Sequence, residues 1–300
     1  MKVTIFTPTY NRAYIIEQLY RSLQRQTCTD FEWLVVDDGS SDNTYELLEK
    51  WQQEKNHFQI RYFRQDNGGK CRAINHGLEL AAGKLFFTVD SDDYLTDDAV
   101  EKVLLWESEL PKEQKFCGFA GNLGTSATET PNRIFEAPYL DGTALDRYGL
   151  VDGERAMVFY TDIHRKYLYP VFEGEKFMTE AVAWNRMAAD RYRIRFFNNI
   201  IWIYEYQEDG LTKAGNAIFL NNPKGYGLWL REKTKFSSRS HNDKLKMWYS
   251  FTCDLSALYT SKQIAEYIDG PYLLIAAINT VHKLARLLRK KQNEENTFKS

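Results

Sequence analysis

Three hundred residues are enough for one large domain or two modest ones with a sizeable core. A net charge of -2 provides no field for nucleic acid, and 43% hydrophobic with 27% charged residues excludes a mainly disordered chain. No run approaches ~18 apolar residues, and Cys28, Cys71, Cys117 and Cys253 form neither a zinc spacing nor a disulfide framework. The expectation is a soluble protein in a reducing, cytoplasmic setting, without a leader peptide.

Val3 to Thr7 reads as a buried strand stopped by Pro8, and Ile15, Ile16, Leu19, Tyr20 and Leu23 follow at helical spacing. Phe31 to Val36 is a second strand, ending in Asp37-Asp38-Gly39-Ser40. Asn43 with Glu46 then predicts a capping box on a helix carrying Leu47, Leu48 and Trp51. Ile60 to Phe63 is a third, shorter strand. The loop Gln65-Asp66-Asn67-Gly68-Gly69 leads to a helix with Ala73, Ile74, Gly77, Leu78 and Ala81 on one face, stopped by Gly83. Leu85 to Val89 is the fourth strand, and it runs straight into Asp90-Ser91-Asp92-Asp93. Such alternation predicts parallel pairing with right-handed crossovers and helices on both faces. Ligands then bind beyond the carboxyl ends of the strands, where Pro8 to Arg12, Asp37 to Ser40, Gln65 to Lys70 and Asp90 to Asp93 should converge.

Past Pro111 the alternation stops. Phe116 to Leu123 and Ala156 to Thr161 read as strands, and a helix starts near Thr179. Tyr192 to Phe197 and Ile200 to Tyr206, flanking Asn198-Asn199, predict a hairpin. After Asn222-Pro223 the chain turns helical. Its last helix, Pro271 to Lys291, collects Leu273, Leu274, Ala277, Ile278, Val281, Leu284 and Leu288 on one face and ends among Arg286, Arg289, Lys290 and Lys291. That pattern fits a helix packed on its own domain or one lying in a membrane interface. Gln292 to Ser300 reads as a disordered tail. The chain thus divides into residues 1–110, a mixed-sheet stretch 111–222 of the same domain, and a helical region 223–300.

Three carboxylates packed as closely as Asp90, Asp92 and Asp93 repel one another, and a hard divalent cation holding a phosphorylated ligand would relieve them. Alternatively they cap the next helix, although Thr96, Asp97 and Asp98 already supply that polarity. No glycine-rich dinucleotide loop, P-loop or EF-hand spacing is present. The five histidines do not cluster with acids or cysteines.

Four motifs fall at the expected strand ends: Thr-Pro-Thr-Tyr-Asn-Arg after the first strand, Val-Asp-Asp-Gly-Ser-Ser-Asp-Asn-Thr after the second, Asn-Gly-Gly-Lys-Cys-Arg-Ala-Ile-Asn-His-Gly before the fourth, and Asp-Ser-Asp-Asp after it. Together they resemble family 2 glycosyltransferases of the GT-A fold, over about residues 1 to 110 and more weakly to Thr212. The resemblance implies an α/β nucleotide-diphospho-sugar transferase fold, a mostly parallel central sheet between helices, with a helical C-terminal extension. It implies inverting transfer from a nucleotide-diphosphate sugar, with UDP favoured, assisted by Mn²⁺ or Mg²⁺. The acceptor would be a glycan, lipid-linked glycan or protein, with peripheral membrane contact through the last helix as one option.

Residue by residue, the resemblance sets Pro8 and Tyr10 along base and ribose, Asp38 as acceptor for the base, and Lys70 and Arg72 toward base or phosphates. Asp90 would reach the ribose and Asp92 the metal, with Asp93 behind them. Asn67, Gly69, Ala73 and Asn75 would shape the loop and its helix. Many members carry Glu-Asp at a helix start, the Asp acting as base. Here Thr179-Glu180 stands four residues before Trp184, which makes Glu180 the expected base and Glu175 its substitute. Tyr206 to Thr212 matches a loop that closes on donor and acceptor, with Lys213 near phosphate. Simpler roles compete: an Asx turn into Gly39 for Asp37 or Asp38, and a first-turn acid for Glu180. A nucleotidyltransferase would share the acidic site but needs a glycine-rich loop after the first strand, and a non-catalytic nucleotide-sugar or glycan-binding module would need no base.

Overall fold

The computed structural model describes every residue except 152, 208–214, 238–239 and 298–300; at 147, 148 and 290–297 the backbone alone is described. The chain forms two compact units, Met1–Lys213 and Ala214–Ser300.

The first unit opens with β1 (Val3–Thr9), α1 (Glu17–Gln24), β2 (Phe31–Asp37), α2 (Thr44–Gln53), β3 (Gln59–Arg64), α3 (Lys70–Leu80) and β4 (Leu85–Thr88). It continues through β5 (Tyr94–Leu95), α4 (Ala99–Glu109), β6 (Phe116–Gly124), β7 (Leu140–Gly142), α5 (Arg147–Leu150), β8 (Arg155–Tyr160), α6 (Thr161–His164), α7 (Ala181–Ala189) and β9 (Arg193–Ile203). All nine strands join one sheet in the order β3-β2-β1-β4-β8-β6-β9-β5, with β7 also on β9. The β3-β2-β1-β4 block is parallel, β8 runs against β4 and β6, and β9 is parallel to β6. Six strands therefore share one direction, and their carboxyl ends share one edge.

Alternation along the strands explains the layers. Val3, Ile5, Leu85 and Phe87 share a core with Leu19, Leu48 and Val103 of α1, α2 and α4. Phe6 and Phe86, one residue out of phase, stack at 5.0 Å on the opposite face. There α3 comes so close that a Cβ on Gly77 would lie 2.2 Å from the Phe6 ring.

Three local expectations change. β1 continues through Pro8 to Thr9, with Pro8 opposite Val36. The Phe6 carbonyl accepts from Val89 N–H and the Thr9 carbonyl from Asp38 N–H, so alternation turns the Pro8 nitrogen toward β4, beyond its last paired residue. No ladder bond is lost there. At α2, Asn43 forms no side-chain cap. The Asp42 carboxylate takes the Thr44 N–H at 3.2 Å and hydroxyl at 2.6 Å instead, and also holds Ala13 N–H at 2.9 Å.

The hairpin expected at Asn198-Asn199 is one continuous strand, β9. Against β6 its register moves from Ala120↔Phe196 to Asn122↔Ile200, so the two asparagines are a bulge. Neither has the positive φ that a two-residue hairpin turn requires. Asn198 instead pairs both ways with the Phe135 backbone, donating at 2.7 Å and accepting at 3.2 Å.

The second unit contains α8 (Ala217–Leu220), α9 (Pro223–Phe236), α10 (His241–Leu255), α11 (Ser261–Ile268) and α12 (Tyr272–Thr297). Capping boxes start α10 (Ser240 with Asp243) and α11 (Thr260 with Gln263). Phe251, Leu255, Ile264, Ile268 and Ile275 make its core. The backbone of α12 runs on to Thr297, past the break expected at Gln292, because no glycine or proline interrupts a stretch rich in Gln and Glu. No helix among the described residues is long and apolar enough to cross a membrane.

Candidate active site

The ends of β2, β1 and β4 lie side by side, and each brings a different group. At β2, buried Asp37 closes the turn around Gly39 by accepting the N–H of Ser40, three residues on, at 2.7 Å, while the Tyr62 hydroxyl donates to it at 2.6 Å. Asp38 points into the loop before α3. Its carboxylate accepts from Gln65 Nε2 at 2.7 Å, Gly68 N–H at 2.9 Å, Gly69 N–H at 2.7 Å and Asn67 Nδ2 at 3.2 Å. Four donors fill a carboxylate's usual capacity, so Asp38 holds the shape of this loop. Pro8 is buried in β1 and Tyr10 is exposed just beyond its end. Arg72 is exposed over Gly68, its side chain with no hydrogen bond or ion pair among the described residues.

Lys70, the first residue of α3, joins the two halves of the sheet. Its ammonium lies 2.7 Å from Asp90 Oδ1 and 2.8 Å from Glu180 Oε1. Burial alone would lower the lysine pKa, but the two carboxylates outweigh it and hold it well above the usual range. Lys70 and Glu180 each keep about a quarter of their side chain exposed, so the bridge is open to a ligand.

Glu180 reaches this place because the segment before α7 is clamped onto α3. Asn75 donates to the Tyr169 carbonyl and accepts from its N–H, both at 2.8 Å. Cys71 Sγ donates to the Met178 carbonyl at 3.1 Å, and Lys176 Nζ to Asn67 Oδ1 at 2.5 Å. Gly69, at φ +90, lies so near Lys176 that a Cβ would come within 1.7 Å of the Lys176 carbonyl oxygen. The buried Tyr169 hydroxyl donates to the Glu180 carbonyl at 3.4 Å and meets His164 Nε2 at 3.5 Å. Glu175 sits earlier in this segment, its N–H bonded to the Phe172 carbonyl.

The three acids after β4 have separate surroundings. Asp90 pairs with Lys70. Asp93 is buried, accepts from Trp202 Nε1 at 2.8 Å and Glu205 N–H at 3.4 Å, and is pushed up to about 8 by burial and by Asp90 and Asp92. The Asp92 carboxylate takes no hydrogen bond from another described residue; burial, then Asp90, raises its pKa. Only its backbone is held, by Gln18 Nε2 on the Asp92 carbonyl at 2.6 Å.

An under-compensated carboxylate beside a second one fits a hard, oxygen-seeking cation. No cluster of three or more His, Cys, Asp or Glu among the described residues could hold a metal alone. Diphosphate and water would have to complete the shell, as is usual for Mg²⁺. The Tyr206 to Thr212 loop and Lys213 lie largely outside the described residues, which resume at 215.

Sequence reasoning misses Gln65, Tyr169 and Trp202, the side chains that hold Asp38, the Glu180 backbone and Asp93. Only Gln65 carried a local signal, as the polar residue directly after β3.

A parallel nucleotide-binding block whose fourth strand ends in acids, continued by antiparallel β8 and a crossover to β6 and β9, is the GT-A type of transferase fold. Solved structures bear this out: Staphylococcus aureus TarS 1-349 in complex with UDP-GlcNAc matches with a TM-score of 0.62 at 17% identity, covering 96% of this chain and 92% of that one. A mannosyltransferase of Pyrobaculum calidifontis, in complex with GDP-Man and Mn²⁺, matches with a TM-score of 0.57 at 16% identity, covering 95% and 86%. The chain belongs to glycosyl transferase family 2, whose model matches residues 4–160, just over half its length. It is 26% identical over 223 residues to the uncharacterized glycosyltransferase EpsJ of Bacillus subtilis (strain 168), covering 70% of this chain and 63% of that one. Over 102 residues it is 39% identical to a chondroitin synthase of Pasteurella multocida (strain Pm70), covering 34% of this chain and 10% of the synthase. The chain thus spans less than two thirds of either relative.

Proposed function

We propose that the chain transfers a sugar from a nucleotide-diphosphate sugar, with UDP-sugars the first to test, to an acceptor hydroxyl with inversion at the anomeric carbon. Residues 1–110 form the donor half, and the acceptor half, expected over 111–222, is the part of the first unit from residue 111 on, since that unit ends at Lys213. The observation that carries this reading is the Lys70 ammonium shared between Asp90, at a nucleotide-binding strand end, and Glu180, at the start of α7.

In this mechanism Pro8 and Tyr10 line the base and Asp90 the ribose, while Lys70 and Arg72 face base or phosphates. Asp38, expected as an acceptor for the base, has its acceptor capacity filled by Gln65, Asn67, Gly68 and Gly69 and instead holds the loop that leads into Lys70. Asp92 would hold Mn²⁺ or Mg²⁺, which supplies positive charge to the leaving diphosphate. Glu180 accepts the acceptor's hydroxyl proton as its oxygen bonds to the anomeric carbon and the carbon–oxygen bond to diphosphate breaks. In the free protein the Lys70 ammonium is paired with the Glu180 carboxylate. An arriving diphosphate competes for Lys70 and frees the carboxylate, which ties base activation to donor binding.

The similarity to a chondroitin synthase supports a glycan acceptor and a place in surface polysaccharide synthesis. Four cysteines without a disulfide suit a cytoplasmic setting, and a lipid-linked acceptor would suit peripheral contact with the inner face of a membrane. Calorimetry with UDP, with and without Mn²⁺, followed by donor hydrolysis and a donor screen by mass spectrometry, tests the reading. Asp92→Asn should weaken metal-dependent UDP binding about 100-fold, a loss of about 2.7 kcal/mol. Unchanged binding and hydrolysis would remove the metal assignment. UDP binding without transfer to any acceptor would leave a binding module.

A further inference from the structure

We propose that the outward face of α12 docks on a membrane surface rich in acidic lipids. The helix has already used its other face. Ile275 is fully buried in the core of the second unit, and Asn279, also buried, donates to Ser261 Oγ at 2.8 Å. Away from these anchors, Leu273, Val281, Leu284 and Leu288 are 81%, 65%, 55% and 67% exposed. With exposed Ala277 they recur every three or four residues, so they form one stripe. At about 1.5 Å per residue the stripe is roughly 22 Å long. A continuous apolar ridge of that length is unusual on a surface facing only water.

Charge identifies the occupant. From Pro271 to Lys291 the sequence carries Lys283, Arg286, Arg289, Lys290 and Lys291 and no Asp or Glu. Lys283, Arg286 and Arg289 are exposed and form no ion pair among the described residues. Lys283, Arg286 and Arg289 fall on the side of the helix away from the stripe, the arrangement of an interfacial helix, and a contact between two copies through the stripe would leave these cations without an opposing charge. An acidic bilayer takes both features together, leucines entering the acyl boundary and cations resting on the headgroups. The helix cannot span a bilayer, so it lies in the surface.

Flotation of the full chain with phosphatidylcholine vesicles, with and without phosphatidylglycerol, tests this without donor, metal or activity, and so independently of the transferase reading. Binding should be about tenfold stronger on the acidic vesicles and should weaken with salt. The double variant Leu284→Glu with Leu288→Glu should stay in solution while keeping its thermal midpoint, since both side chains are exposed. Leu273→Gln, a milder change at the other end of the stripe, should weaken flotation should the double variant fail to fold. Lys283→Glu with Arg286→Glu should erase the preference for acidic vesicles. No flotation on either vesicle, or flotation indifferent to both leucine changes, overturns the proposal. So does a dimer in vesicle-free solution that the leucine changes convert to monomer.

Discussion

The two carboxylates on Lys70 arrive by different routes. Asp90 stands at the end of β4, whose register against β1 places it beside the first strand's end. The parallel block by itself fixes where this residue stands. Glu180 stands at the end of a long irregular segment, held by clamps from Gly69, Cys71 and Asn75 of α3 and its loop. The donor side is positioned by backbone ladders and the acceptor side by side chains gripping backbone. Substitutions on the two sides should therefore fail differently: at the strand ends the chemistry changes within an intact frame, whereas at the clamps the frame loosens first.

Glu180→Gln gives the largest expected effect. Transfer should fall about 10²- to 10⁴-fold, while UDP affinity in calorimetry is kept or tightened, because Asp90 and Asp92 are untouched and Lys70 no longer has to be released from Glu180. Full transfer with binding intact would pass the base role to another group. Gly69→Ala comes next. A Cβ at φ +90 driven into the Lys176 carbonyl must push the segment outward, for about 1–3 kcal/mol of strain. Displacing Glu180 by about 1 Å should cost transfer about 100-fold. Denaturant melts and steady-state rates on one preparation would show both losses, and an unchanged rate would mean that the clamp does not set the base.

Asn75→Ala is a softer break of the same clamp. Two reciprocal bonds to Tyr169 disappear, leaving a buried N–H and carbonyl to find water, for about 1–3 kcal/mol. Chemical denaturation measures this, and a change under about 0.5 kcal/mol would show that water replaces the asparagine without penalty.

The smallest effect concerns His164, enclosed by Phe86, Phe159 and Tyr169. Burial pushes its imidazole down to about 3. The folded protein keeps it neutral while the unfolded chain takes up a proton below about pH 6.5. Its contribution to stability is complete above pH 6.5 and is lost as pH falls toward 3, at up to ~1.4 kcal/mol per pH unit. His164→Gln should remove that slope, so the stability gap between parent and variant should shrink by about 2 kcal/mol from pH 7 to pH 5. Parallel pH profiles would rule out a neutral buried histidine.

The parallel block was legible because its signals are local. Val3, Ile5, Phe31 and Leu85 belong to apolar runs bounded by turn residues, and alternation with helical faces leaves few topologies. The hairpin expectation failed for the same reason. Asn198-Asn199 between two apolar runs is a turn signal only if nothing else can pair with both runs. Here β6 pairs with both, and the asparagines become a bulge. Pro8 reads as a stop, although at its position, beyond the last residue paired with β4, no ladder bond needs its N–H.

By itself the sequence determined the strand-end chemistry: acids at Asp38, Asp90 and Asp92, a lysine opening α3, and no glycine-rich phosphate loop. Tertiary structure decided how those acids differ. Gln65, Gly68 and Gly69 fill the acceptor capacity of Asp38, Trp202 holds Asp93 across 109 residues of chain, and Lys70 spans Asp90 and Glu180. Such pairings rest on contacts between segments far apart in sequence, where no periodicity or spacing carries information. A carboxylate's pKa and free lone pairs are set by those neighbours, so Asp92 alone stays uncommitted among three acids that look alike in the chain.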